Sequence, residues 1–167
     1  MRYAPGGIFS YTADEAEQFT YISRNMCSNP AEAPQETEYD FTGRRVLVAE
    51  DNQINAEIAK SLLESRSFTV EVAVNGLRAM EMFVQNPVGY YDAILMDVRM
   101  PMMDGLQATA NIRHWNKADA KSIPIIAMTA NAFDEDVEKS RAAGMNAHLS
   151  KPIEPETLYR TLFRLIK

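Results

Sequence analysis

The sequence predicts an α/β fold: five strands alternating with five helices, the strands parallel and the helices covering both faces of the sheet. Two observations carry this. Four short, mostly apolar runs each end in a polar residue: 45–49 runs into Glu50-Asp51, 93–96 into Asp97, 123–128 into Thr129, and 146–150 into Lys151-Pro152. Ala93-Ile94-Leu95-Met96 shows no polar alternation, as expected of a strand buried on both faces. The segments between these runs carry helical spacing and capping residues.

Taken in order, 44–49 is the first strand. Asn52 caps a helix over 53–66, with Ile54, Ile58 and Leu62 expected on its core stripe together with Leu63 or Ala59. Phe68, Val70 and Val72 then alternate with Thr69 and Glu71, the pattern of an edge strand with one wet face. Asn75-Gly76 opens a helix that stops near Asn86-Pro87. The central strand ends at Asp97, and Met100-Pro101 and Asp104-Gly105 are turn chemistry beyond it. A helix over 106–117 turns Leu106, Ala110 and Ile112 inward. Strand 123–128, helix 133–143 closed by Gly144, strand 146–149 and helix 155–166, with Leu158, Leu162 and Leu165 inward, complete the domain.

That domain spans 43–167; residues 1–42 read as an appendage or linker. Thr12-Ala13-Asp14-Glu15 fits a capping box, and Ala16, Phe19, Ile22 and Met26 follow at helical spacing, so one short helix over 13–26 is expected there. Pro30 to Asp40 is acidic and linker-like. Residues 1–40 hold two basic and seven acidic residues, so most of the net charge of −6 belongs to the appendage. The composition, 46% hydrophobic and 24% charged, is that of a soluble globular chain. No apolar run approaches bilayer length. A lone cysteine, Cys27, excludes an internal disulfide and suits a reducing, cytoplasmic setting, including the cytosolic part of a membrane-bound protein. No basic patch for nucleic acid is present.

In doubly wound sheets ligands bind at the C-terminal strand edge. Glu50, Asp51, Asp97, Thr129 and Lys151 should therefore converge, although they are far apart in sequence. Carboxylates gathered at one point repel unless a cation joins them, and an all-oxygen set suits Mg²⁺. Asp51 and Asp97 would be direct ligands, with Glu50 acting through water. A divalent ion, an ammonium and a hydroxyl around one carboxylate form a receptacle for a phosphoryl group, with that carboxylate as nucleophile.

Glu50-Asp51, the stretch Met96-Asp97-Val98-Arg99-Met100-Pro101-Met102-Met103-Asp104-Gly105, Thr129-Ala130 and Lys151-Pro152 resemble the receiver domain of two-component response regulators. The likeness covers 43–167. Asp51-Asn52-Gln53-Ile54-Asn55 and Met128-Thr129-Ala130-Asn131-Ala132 resemble in particular the receivers of hybrid sensor histidine kinases. The resemblance implies a flavodoxin-like sheet of order 2-1-3-4-5, with Asp97 accepting a phosphoryl group from phosphohistidine. It implies Mg²⁺ on Asp51, Asp97 and the backbone carbonyl of Arg99, assisted by Glu50. It also implies that Thr129 and Lys151 contact the phosphoryl group, and that the peptide before Pro152 is cis. The partner would be a histidine kinase or a histidine phosphotransfer domain, docking on the Ile54, Ile58 side of the first helix and on the loops at the strand ends. His148 stands where the family usually has Tyr or Phe, a rotamer switch coupled to the threonine; an imidazole is smaller and titratable. Arg99 and Asn131 flank the pocket, where they would tune the lifetime of the phosphorylated state. The chain carries no kinase ATP-binding motif, so acceptance of a phosphoryl group and slow hydrolysis are its expected chemistry, and the C-terminal piece of a hybrid kinase its expected place. The rival reading is a Mg²⁺-dependent phosphohydrolase with an aspartyl nucleophile. Such enzymes commonly want a second acid, and two residues after Asp97 stands Arg99.

Overall fold

The computed structural model describes residues 39–130 and 134–166; the chain divides into two units between Glu38 and Tyr39. The expected helix over 13–26 and the side chain of Asn131 lie outside the described residues.

Five strands, β1 (Arg45–Ala49), β2 (Thr69–Ala73), β3 (Ala93–Asp97), β4 (Ile125–Thr129) and β5 (Ala147–Ser150), pair in parallel in the order β2-β1-β3-β4-β5. This is the doubly wound order that the resemblance implies. Helices α1 (Gln53–Glu64), α2 (Gly76–Gln85), α3 (Gly105–His114), α4 (Asp134–Ala143) and α5 (Pro155–Leu165) connect and follow them.

The unbroken apolar runs are explained by two cores, one on each face of the sheet. Leu47, Ile94, Met96 and Ile125 point to one core, which holds Phe83 of α2 and Ile112 of α3. Val46, Val48, Leu95 and Ile126 point to the other, with Leu63 of α1 and Leu158 and Leu162 of α5. Successive strand residues serve opposite faces, so both must be apolar. Each fully buried Leu, Ile or Phe contributes roughly 1.5–3 kcal/mol.

The structure corrects the expected stripe of α1. Ala56, Ala59 and Leu63 are its buried residues, whereas Ile54 is 70% and Ile58 50% exposed. On α3, Ile112 is buried as expected, but its buried neighbours are Ala108 and Thr109; Ala110 is only half-buried. Before β1, Phe41 is buried and stacks on Phe68 with 4.3 Å between ring centroids. Tyr39 lies against Tyr159 and Phe163 of α5 and donates to Glu156 at 3.3 Å.

Candidate functional site

Glu50 and Asp51 follow β1, Asp97 ends β3, Thr129 ends β4 and Lys151 follows β5. The parallel register sets neighbouring strand ends side by side: Asp97 aligns with Met128 and Thr129 with Ser150. The Lys151 N–H donates to the Thr129 carbonyl at 2.7 Å, which holds Lys151 at the edge after the strand has ended. The Lys151-Pro152 peptide is cis.

The predicted residues come together. Carboxylate oxygens of Glu50, Asp51 and Asp97 lie within 4.8 Å of one another. Glu50 and Asp97 are 3% and 6% exposed, and Asp51 is exposed. The Lys151 ammonium donates to Glu50 Oε2 at 2.6 Å and to Asp97 Oδ2 at 2.7 Å. Burial alone would lower the pKa of this ammonium, but its hydrogen bonds to Asp97 and Glu50 outweigh that and hold it above the ordinary 10.5. Lys151 is therefore charged throughout the physiological range. Thr129 is buried at the end of β4, next to Lys151 through its backbone carbonyl.

Local chemistry fixes each carboxylate. The backbone N–H of Arg99 donates to Asp97 Oδ1 at 3.1 Å. The backbone N–H of Asn52 donates to Glu50 Oε1 at 3.2 Å, and the Asn55 side-chain amide reaches the same oxygen at 3.4 Å. Asn52 also caps α1, accepting from the N–H groups of Ile54 and Asn55. Sequence reasoning found Asn52 as a cap and missed that it and Asn55 aim Glu50; two asparagines within five residues of an acidic pair were the available signal. Gly105 lets α3 begin against the acceptor strand, since a Cβ there would stand 2.1 Å from the Asp97 carbonyl oxygen. His148 is half-buried on β5, opposite Ala127, and lines a small cavity with Val137, Ser140 and Arg141 of α4.

Hard oxygen ligands on one side and a single ammonium on the other suit a divalent cation and a phosphoryl group. The model of the response regulator receiver domain matches residues 46–163, nearly the whole of the described unit. The chain is a receiver domain.

Receivers are phosphate-accepting signalling domains of two-component phosphorelays, and this one is similar to those of hybrid histidine kinases. It is 40% identical over 121 residues to hybrid signal transduction histidine kinase I of Dictyostelium discoideum, covering 71% of this chain and 7% of that protein. It is 35% identical over 167 residues to two-component system protein A of Emericella nidulans, covering 96% of this chain and 24% of that protein. The receiver thus spans less than a quarter of either relative. Among solved structures, the receiver of sensor histidine kinase PA1611 from Pseudomonas aeruginosa, which holds a magnesium ion in its active-site cleft, is 38% identical with a TM-score of 0.67, over 75% of this chain and 98% of that one. The receiver of Saccharomyces cerevisiae Ssk1, solved with the histidine phosphotransfer protein Ypd1, is 27% identical with a TM-score of 0.65, over 74% of this chain and 88% of the other. Among the described residues no helix is long and apolar enough to cross a membrane.

Proposed function

We propose that Asp97 is the phosphoacceptor of this receiver and that its donor is the phosphohistidine of a histidine kinase or histidine phosphotransfer domain. The observation that carries the reading is the Lys151 ammonium bridging Glu50 and Asp97 within a cluster of three carboxylates. An Asp97 oxygen attacks phosphorus, the P–N bond breaks, and the imidazole nitrogen keeps the electron pair and takes up a proton. Lys151 leaves its pairing with Asp97 for the new phosphoryl oxygens, and Thr129 supplies a hydroxyl donor to them. Asp51, Asp97 and the carbonyl of Arg99 would hold Mg²⁺, with Glu50 assisting through water, and the bound ion would supply positive charge to offset that of the phosphoryl oxygens. Positioning and electrostatics supply the rate. Thr129 and His148 then carry the change toward α4. Residues 43–167 act as the receiver part of a hybrid histidine kinase on the cytoplasmic side, joined through 1–42.

The exposed Ile54 and Ile58 support docking of the donor on α1. With Leu62, Ser61 and Ser65 they line a shallow apolar groove on that helix, and such an exposed patch marks an interaction surface.

Intact mass after incubation with acetyl phosphate tests the reading. One added phosphoryl group is expected with Mg²⁺, and none with a chelator or in Asp97→Asn. An adduct of equal yield in Asp97→Asn would overturn the assignment.

A further inference from the structure

Helix α1 stops in a strained turn that another helix holds in place. A helix leaves its last carbonyls without intrahelical donors. In α1 those of Ser61, Leu63 and Glu64 accept from the backbone N–H groups of Ser65, Arg66 and Ser67, each at 3.0 Å. Ser67 has φ +68°, a left-handed conformation that glycine adopts freely and that a Cβ opposes.

The Leu62 carbonyl is satisfied differently. It accepts from two side-chain hydroxyls: Ser65 Oγ at 2.7 Å, from the same turn, and the Tyr159 hydroxyl at 2.9 Å, from α5. The two hydroxyl oxygens stand 3.2 Å apart. Tyr159 is 4% exposed and its ring is pinned, with the Arg66 guanidinium 5.0 Å from its centroid and the Tyr39 ring 6.2 Å away. A fixed, buried hydroxyl on a helix end is a device for keeping a strained turn where it is.

That end of α1 is also one end of the apolar groove. Leu62 and Ser65 line it together with Ile54 and Ile58. From Ile54 to Ser65 is about three helical turns, so a partner helix lying along the groove meets the end that Tyr159 holds. Tyr159 shapes that end without lining the groove itself.

We infer that Tyr159 is a positioning residue for the phosphohistidine donor. Through the Leu62 carbonyl it sets the Leu62, Ser65 end of the docking groove, and it touches neither the donor nor the acceptor site. The inference rests on the docking reading given under the proposed function.

The test measures phosphoryl transfer from phosphorylated Saccharomyces cerevisiae Ypd1, and labelling by acetyl phosphate, in the wild-type chain, Tyr159→Phe, Tyr159→Phe with Ser67→Gly, and Ile58→Ser. Tyr159→Phe keeps the buried ring and removes only the hydroxyl. It is expected to raise KM for phospho-Ypd1 about five-fold, the factor of one ordinary hydrogen bond, with kcat and acetyl phosphate labelling unchanged. Adding Ser67→Gly, which relieves the strained turn, is expected to restore KM. A KM for Tyr159→Phe within about two-fold of wild type overturns the inference, as does a parallel loss with acetyl phosphate or a failure of Ser67→Gly to rescue. Ile58→Ser separates this inference from the reading beneath it. If Ile58→Ser raises KM and Tyr159→Phe does not, only the positioning role falls. If neither raises KM, or if the wild type takes phosphoryl from acetyl phosphate and not from phospho-Ypd1, the docking reading falls and the inference with it. A wild type labelled by neither donor overturns the acceptor reading itself.

Discussion

Among the described residues Lys151 is the one cation that the carboxylates Glu50 and Asp97 share, and both carboxylates are buried. Truncating it leaves two like charges facing each other with water largely excluded, a loss on the order of 3 kcal/mol. Lys151→Ala is expected to lose about that much stability in urea melts run with a chelator, and to recover much of it on addition of Mg²⁺, which replaces the missing charge. The positions of Glu50, Asp51, Asp97, Thr129 and Lys151 were legible in the sequence because each ends an apolar run, and strand ends of a parallel sheet converge. The residues that aim them were not. Asn55 reaching Glu50 and the Arg99 N–H reaching Asp97 depend on how a helix and a loop turn, which residue type alone leaves open.

At the scale of the element, α1 is the instructive case. Ile54, Ile58 and Leu62 fit an i, i+4 stripe, and so do Ala56, Ala59 and Leu63 in i, i+3, i+4 spacing; hydrophobicity alone favours the isoleucines. Against a sheet, small alanines let the helix approach closely, and the isoleucines are left facing out. Leu63→Ala is therefore expected to cost 2–5 kcal/mol, whereas Ile58→Ser should stay within about 0.5 kcal/mol of wild type while slowing transfer from a phosphorylated histidine phosphotransfer protein; paired urea melts and transfer rates check both. Helix α5 adds a pH-dependent element. Glu154 caps it, accepting from the Thr157 side chain and, at 2.7 Å, from the Thr157 N–H, and these hydrogen bonds hold its carboxyl below the ordinary 4.5. A depressed carboxyl stabilises the fold above its unfolded pKa and loses that contribution as pH falls through the folded value. Fraying of α5 is thus expected only below pH 4.5, and an NMR titration of the Glu154 carboxyl alongside Glu154→Ala checks it.

Across the whole molecule the two edges of the sheet divide the work. The C-terminal edge gathers charge; the opposite edge is tied by hydrogen bonds. Arg113, at the end of α3, donates to the carbonyls of Gly144 and Ala120 and to Asn146 Oδ1 at 2.8–2.9 Å. Asn146 Oδ1 accepts in turn from the N–H of Ile125 at 2.8 Å. Arg113→Ala strands several part-buried polar groups and is expected to cost about 3 kcal/mol, with phosphoryl acceptance per folded molecule unchanged; thermal melts and labelling stoichiometry separate the two. The fold class was readable because the runs are apolar and punctuated, and the strand order came from the resemblance to receiver domains. This brace was not, since an arginine late in a helix reads equally as a solvated end.

Glu50 and Lys151 are 101 residues apart and meet only when β5 is in place. During synthesis, a chain grown through β4 carries its acidic residues without the ammonium that balances them, and that cation arrives with the last strand made. On the acceptor role proposed for Asp97, half-built copies are deaf to the phosphorelay, and the number of molecules able to take a phosphoryl group is a census of completed domains.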